Sequence, residues 1–223
     1  MPHVRVATAL IAFLSVNGAL AAPFAVQVGE ARIGLDAPPG FADTSFTGSP
    51  RLQELAESLT SPSNRIVLFA ISDGDLRKFT LGDPPEFRRY LIAVTPKELE
   101  RDRVTAQRFG ELAQAAVREL GERAPAGKSF AEHFEKQPVG TPGVLGELRR
   151  EAQVVSVLVG ARIQPQPRSP KLQYMLSTVT LMLVRGKMLS LSVHGAYEGQ
   201  ADLDWIRAIT TRWIEDLQRL NAR

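Results

Sequence analysis

The chain of 223 residues contains no cysteine. Disulfides, thiol nucleophiles and cysteine-based zinc sites are therefore excluded. Histidine is almost as scarce, with three in all. His3 lies at the extreme amino terminus, which leaves only His133 and His194. A structural zinc usually takes four Cys or His ligands, and a catalytic zinc three protein ligands. The supply is too small for either, so no metal ion and no other cofactor is expected. Aromatic residues make up 7% of the chain, and the net charge is only +3. Despite a pI near 9.4, a charge so close to neutral does not point to nucleic acid. There is no internal repeat and no low-complexity tract.

The longest apolar run is at the start, from Val6 to Val16 behind Arg5. It is shorter than the roughly 20 residues that span a bilayer. Small residues follow, and Ala19 and Ala21 form an Ala-x-Ala site. These features predict a signal peptide cleaved after Ala21, hence a periplasmic or secreted protein with no transmembrane segment after cleavage. Removing 21 residues from 223 leaves 202. A chain of that size buries roughly 70% of its surface, enough for one domain spanning 22–223.

The remaining chain is organised around Leu172–Tyr197. Two β-rich runs flank Arg185-Gly186-Lys187, which reads as a long hairpin. Upstream, residues 26–28 and 31–35 form a small hairpin, with Ala31, Ile33 and Leu35 on one face. Pro39-Gly40 suits the centre of a type II turn. Ser49-Pro50 opens a helix with Leu52, Leu55 and Leu59 on one stripe. The almost wholly apolar run from Arg65 to Ile71 predicts a central strand covered on both faces. Residues 72–86 read as a turn and a polar connection, and 87–94 as another strand. Thr95-Pro96-Lys97-Glu98 has the form of a capping box. Thr105 caps a long helix whose buried stripe runs from Phe109 to Leu120, and Gly121 ends it. Residues 122–146 read as a Pro- and Gly-rich crossover with a short helix near Phe130 and Phe134. Residues 154–163 are a strand, and about 203–220 a helix with Ile206, Ile209, Trp213, Leu217 and Leu220 on its apolar face. Strands joined by hairpins predict a mainly antiparallel sheet, and apolar residues on both faces predict helices on both: an α+β sandwich.

The candidate sites are few. Gly121-Glu-Arg-Ala-Pro-Ala-Gly127-Lys128-Ser129 falls short of a phosphate loop: its glycines are one residue too far apart, and it follows a helix instead of a strand. His133 sits among charged residues and reads as solvated. In the second strand of the long hairpin, Ser190, Ser192 and His194 share one face, opposite Leu189, Leu191 and Val193. This polar row is the expected ligand-binding site. As a nucleophile and base it is poorly placed, since same-face neighbours stand about 7 Å apart and no G-x-S-x-G elbow is present. No catalytic residue is assigned. Trp205 and Trp213, eight apart, share one helix face and read as core anchors. Arg88-Arg89, Arg149-Arg150 and the group Arg162, Arg168 and Lys171 read as solvated faces.

The stretch Ala31-Arg-Ile-Gly-Leu-Asp-Ala-Pro-Pro-Gly-Phe41 resembles the opening strand and turn of the PsbP-like superfamily of exported α/β/α sandwich domains. Val184 to Val193, then Tyr197, then Asp204-Trp205 on the last helix, are similar to that family's carboxy-terminal part. The resemblance implies an antiparallel sheet between helical layers, in proteins that mostly bind partners in an assembly. It brings no catalytic or metal residues. The expectation is a non-enzymatic envelope protein binding a protein partner or a small ligand. The alternative is a hydrolase-like enzyme using the face around His194.

Overall fold

A computed structural model describes residues 23–121, 124, 134, 138–163 and 173–222. Residues 1–22, on which the expected signal peptide falls, His133, Arg168, Lys171 and most of the Gly121–Ser129 stretch lie outside the described residues.

The chain opens with a hairpin, β1 (Phe24–Val28) and β2 (Ala31–Leu35), and continues as β3 (Phe41–Asp43), α1 (Pro50–Ser58), β4 (Asn64–Ser72), α2 (Asp73–Thr80), β5 (Arg89–Pro96) and α3 (Ala106–Glu119). It ends with β6 (Pro142–Glu151), β7 (Val154–Ile163), β8 (Gln173–Val184), β9 (Lys187–Tyr197) and α4 (Gln200–Leu220). Seven strands form one sheet in the order β3-β4-β5-β9-β8-β7-β6. Every neighbouring pair in it is antiparallel. The expected α+β architecture is what the structure shows.

The long hairpin sits mid-sheet, with β9 paired to β5 and β8 paired to β7. Leu189, Leu191 and Val193 of β9 join Leu68, Ala70, Leu91 and Ala93 beneath α4, whose Ile206, Trp213, Ile214 and Leu217 are buried with them. The β1–β2 hairpin completes this layer through Val28, Ile33 and Leu35. The opposite face is covered in two patches. Leu52 and Ala56 of α1, with Leu76 and Phe79 of α2, lie on Phe69, Ile71, Ile92 and Val94. Phe109 and Ala113 of α3 lie on Val155, Leu181, Leu183 and Met188.

Several turns follow their residues. Gly40 has φ 89 and the Phe41 amide donates to the Pro38 carbonyl at 3.1 Å, as a type II turn requires. Arg185 and Gly186 both have positive φ, 51 and 75, the two-residue type I′ turn that matches strand twist. Lys187, only 3% exposed, donates from Nζ to the carbonyls of Glu100 (2.9 Å) and Asp102 (2.8 Å) and ties the hairpin to the segment after β5.

Other elements differ from expectation. Residues 73–80 are a helix, capped by the Ser72 hydroxyl, which accepts from the Asp75 amide at 3.1 Å. Thr95–Glu98 is no capped helix: β5 runs through Pro96 and only a 3-10 turn follows, with no side-chain cap. Leu59 is the C-cap of α1 and exposed, so the buried stripe is Leu52 and Ala56. Residues 142–151 form edge strand β6 in place of the end of a crossover. The last helix starts at Gln200. Among the described residues no helix is long and apolar enough to cross a membrane.

Candidate functional site

Strand alternation carries Ser190, Ser192 and His194 onto the face away from α4. They face Val94, Ile92 and Tyr90 of β5 respectively. The row runs between the patch under α1 and α2 and the patch under α3, and all three residues are half-buried. His194 does not pair with either serine of its own strand. Its Nδ1 is hydrogen-bonded to the Ser177 hydroxyl of β8 at 2.8 Å, directly across the ladder. Its ring stacks on Tyr90, with centroids 4.4 Å apart and planes 12° from parallel. Burial pushes the imidazole down to about 4 and the Tyr90 phenol up to about 12. Both are therefore neutral at neutral pH, and a base this weak is mismatched to proton abstraction there. Local spacing does not point to Ser177, because its pairing with His194 depends on the β8–β9 register. Among the described residues no group of three His, Asp or Glu could hold a metal ion.

A second concavity lies where the sheet ends near β5 and α4. It has a volume of about 460 Å³ and is lined by Ser72, Asp75, Lys78, Glu86, Arg88, Arg89, Glu198 and Asp202, among others. Its cations are already matched: Lys78 to Glu86 at 2.5 Å, Arg89 to Asp202 at 3.0 Å, and Arg88 to Glu198. Arg89 also lies 4.1 Å above the Trp205 ring. Arg89 thus ties β5 to α4, while Arg88 and Glu198 form an exposed pair just outside those two elements.

The third and larger concavity was not visible in the sequence. β3 is three residues long and pairs with β4 only at Ala70, Ile71 and Ser72. β4 has nine residues, so among the described residues Asn64–Phe69 run on without a strand on that side. Beside them is a groove of about 730 Å³. Its floor is Ile66, Val67, Leu68 and Phe69, and one wall is Gln53, Ala56 and Glu57 of α1. The turn at Thr44–Ser49 and the loop at Thr60–Asn64 bound its ends. Phe46, 76% exposed, stands on the first of these, edge-on to Phe24 at 6.0 Å. The Thr44 hydroxyl donates to the Phe69 carbonyl at 3.0 Å, which shows that this carbonyl points into the unpaired lane.

No protein-family model matches the chain, and no curated protein matches it. Two solved structures match over 91% of this chain and 94% of their own. One is the Saccharomyces cerevisiae Ran-binding protein Mog1p, at 13% identity and TM-score 0.38. The other is a point mutant of protein Mog1, at 12% identity and TM-score 0.37. Likeness at this level assigns no partner to this chain. The periplasmic or secreted location read from the first 21 residues is corrected here: a structure matched is that of a Ran-binding protein.

Proposed function

We propose that the protein is a non-enzymatic binding module that receives a protein partner in the groove beside β4. The observation that carries this is the mismatch between β3 and β4, which leaves an apolar floor and an unpaired strand edge inside a walled groove. Edge strands are normally shortened, charged or covered, because they template pairing with other chains. Here six residues of edge, Asn64 to Ile66 half-buried and Val67 to Phe69 buried, run near an exposed aromatic, Phe46, a side-chain class that anchors interfaces. The PsbP-like resemblance of residues 31–41 and 184–205 agrees with partner binding.

The site expected from the sequence supports a second reading, a small polar ligand on the Ser190–Ser192–His194 row. It is favoured by the two serine hydroxyls, half-buried and without a hydrogen bond among the described residues. No observation favours the hydrolase.

The test is selection from a phage-displayed library of random linear peptides on the full chain. Recovered peptides bind the parent protein and lose binding to Gln53→Trp, which fills the groove from an exposed wall position. Peptides unaffected by Gln53→Trp and by Phe46→Ala overturn the groove as the site.

A further inference from the structure

Resting on that reading, we infer that the occupant is an extended polypeptide segment that pairs with β4 as an added strand, prolonging β3 along the sheet edge. Four observations fix this chemistry. First, the lane is bordered by main chain on one side. β4 projects the Phe69 carbonyl into it, and the Thr44 hydroxyl stands where the next backbone donor of β3 would have stood. A strand supplies such donors and acceptors at every second residue, whereas a helix has spent its own internally.

Second, β4 carries a bulge between Ile66 and Leu68, which leaves Val67 without a partner in the ladder with β5. Val67 is nonetheless 8% exposed. It lines the groove, so the irregularity lies on the lane. Third, the bulge bends this edge away from a flat neighbour. That disfavours edge-to-edge pairing with a second copy of the same sheet, while a single segment follows the twist. Fourth, residues of the 44–49 turn and the 60–64 loop line the groove together with β4. Six residues of β4 span about 20 Å at strand spacing, so it holds one short segment.

The lining sets the character of that segment. Asp43 and Glu57 balance Arg65 and Lys97. Asp43 is occupied by Ser45, at 2.6 Å to its hydroxyl, and Arg65 by Glu100 at 2.7 Å. Among the described residues the Lys97 ammonium bonds only a carbonyl, that of Pro62 at 2.7 Å. The groove therefore favours an alternately apolar segment whose one charge is an acidic residue at the Lys97 end.

The experiment takes one selected peptide and methylates its backbone nitrogens singly. Strand pairing predicts a period of two: alternate methylations weaken binding about tenfold or more, roughly 1.4 kcal/mol each, and the intervening ones change it little. Amide exchange at Val67 and Phe69 slows on binding, and Lys97→Gln weakens a peptide with an acidic residue at that end. If Gln53→Trp abolishes binding but methylation shows no alternation, the occupant is not a strand: the inference falls and the groove stands. If binding ignores Gln53→Trp, both fall. A concentration-dependent dimer abolished by Gln53→Trp would make the occupant a second copy and overturn the inference.

Discussion

His194 illustrates how a polar residue becomes a structural one. On β9 it could face solvent or a ligand. In the fold it lies flat on Tyr90 and bonds Ser177, so its hydrogen-bonding capacity at Nδ1 is used and its charge is suppressed. The linkage has a definite sign. The imidazole is neutral in the folded protein down to about pH 4, while an unfolded histidine takes up its proton near 6.5. Its contribution to stability is complete above pH 6.5 and is lost as pH falls towards 4. Denaturant unfolding of the parent and of His194→Asn across that window should show a stability difference that shrinks with acidification. A difference independent of pH would contradict the assignment. Ser177→Ala removes the one hydroxyl bonded to the ring, and should cost about 1 kcal/mol in the same measurement at pH 7.

Helix α4 is the element on which the long hairpin depends. Trp213 is almost fully buried and donates its indole N–H to the Asp36 carbonyl at 2.8 Å, joining the last helix to the end of β2. Trp213→Ala should destabilise by about 3–5 kcal/mol, read by thermal or denaturant unfolding. At the other end of the helix Trp205 lies so close to β9 that a Cβ on Gly195 would come within 2.9 Å of its ring. Gly195→Ala should therefore cost about 1–3 kcal/mol through overpacking, and a Trp205→Leu partner substitution should recover part of it. A neutral Gly195→Ala would mean that α4 does not sit on β9 as described.

These elements also show what a sequence makes legible. The alternation of Leu189, Leu191 and Val193 against Ser190, Ser192 and His194 is a property of neighbouring residues, and the faces fall where it places them. So do the Pro39-Gly40 and Arg185-Gly186 turns, each set by local backbone preference. The Ser72–Asp75 pattern suits a turn as well as a helix cap, and in the fold it caps a helix whose Leu76 and Phe79 reach the sheet. β6 carries Gly143, Gly146 and four charged residues between Glu147 and Glu151, a poor strand composition. It pairs because β7 offers it an edge, and it does so with two irregularities. Tertiary context there overrides propensity.

At the scale of the whole molecule the layers are unequal. One face of the sheet is sealed by α4 and the first hairpin, and the other is covered in two separate patches. The groove arises at the β3 edge because two strands of three and nine residues were placed side by side. No pattern within either strand announces it, so it could not be read from the sequence, whereas the serine and histidine row could.

The measurement that separates these two places is amide chemical-shift mapping of the full chain with a selected peptide. The account predicts shifts at residues 43–49, 53–60 and 64–69, with Ser177, Ser190, Ser192 and His194 unmoved. Shifts centred on that second group, with 64–69 unchanged, would contradict the central claim and place binding on the face between the two helical patches.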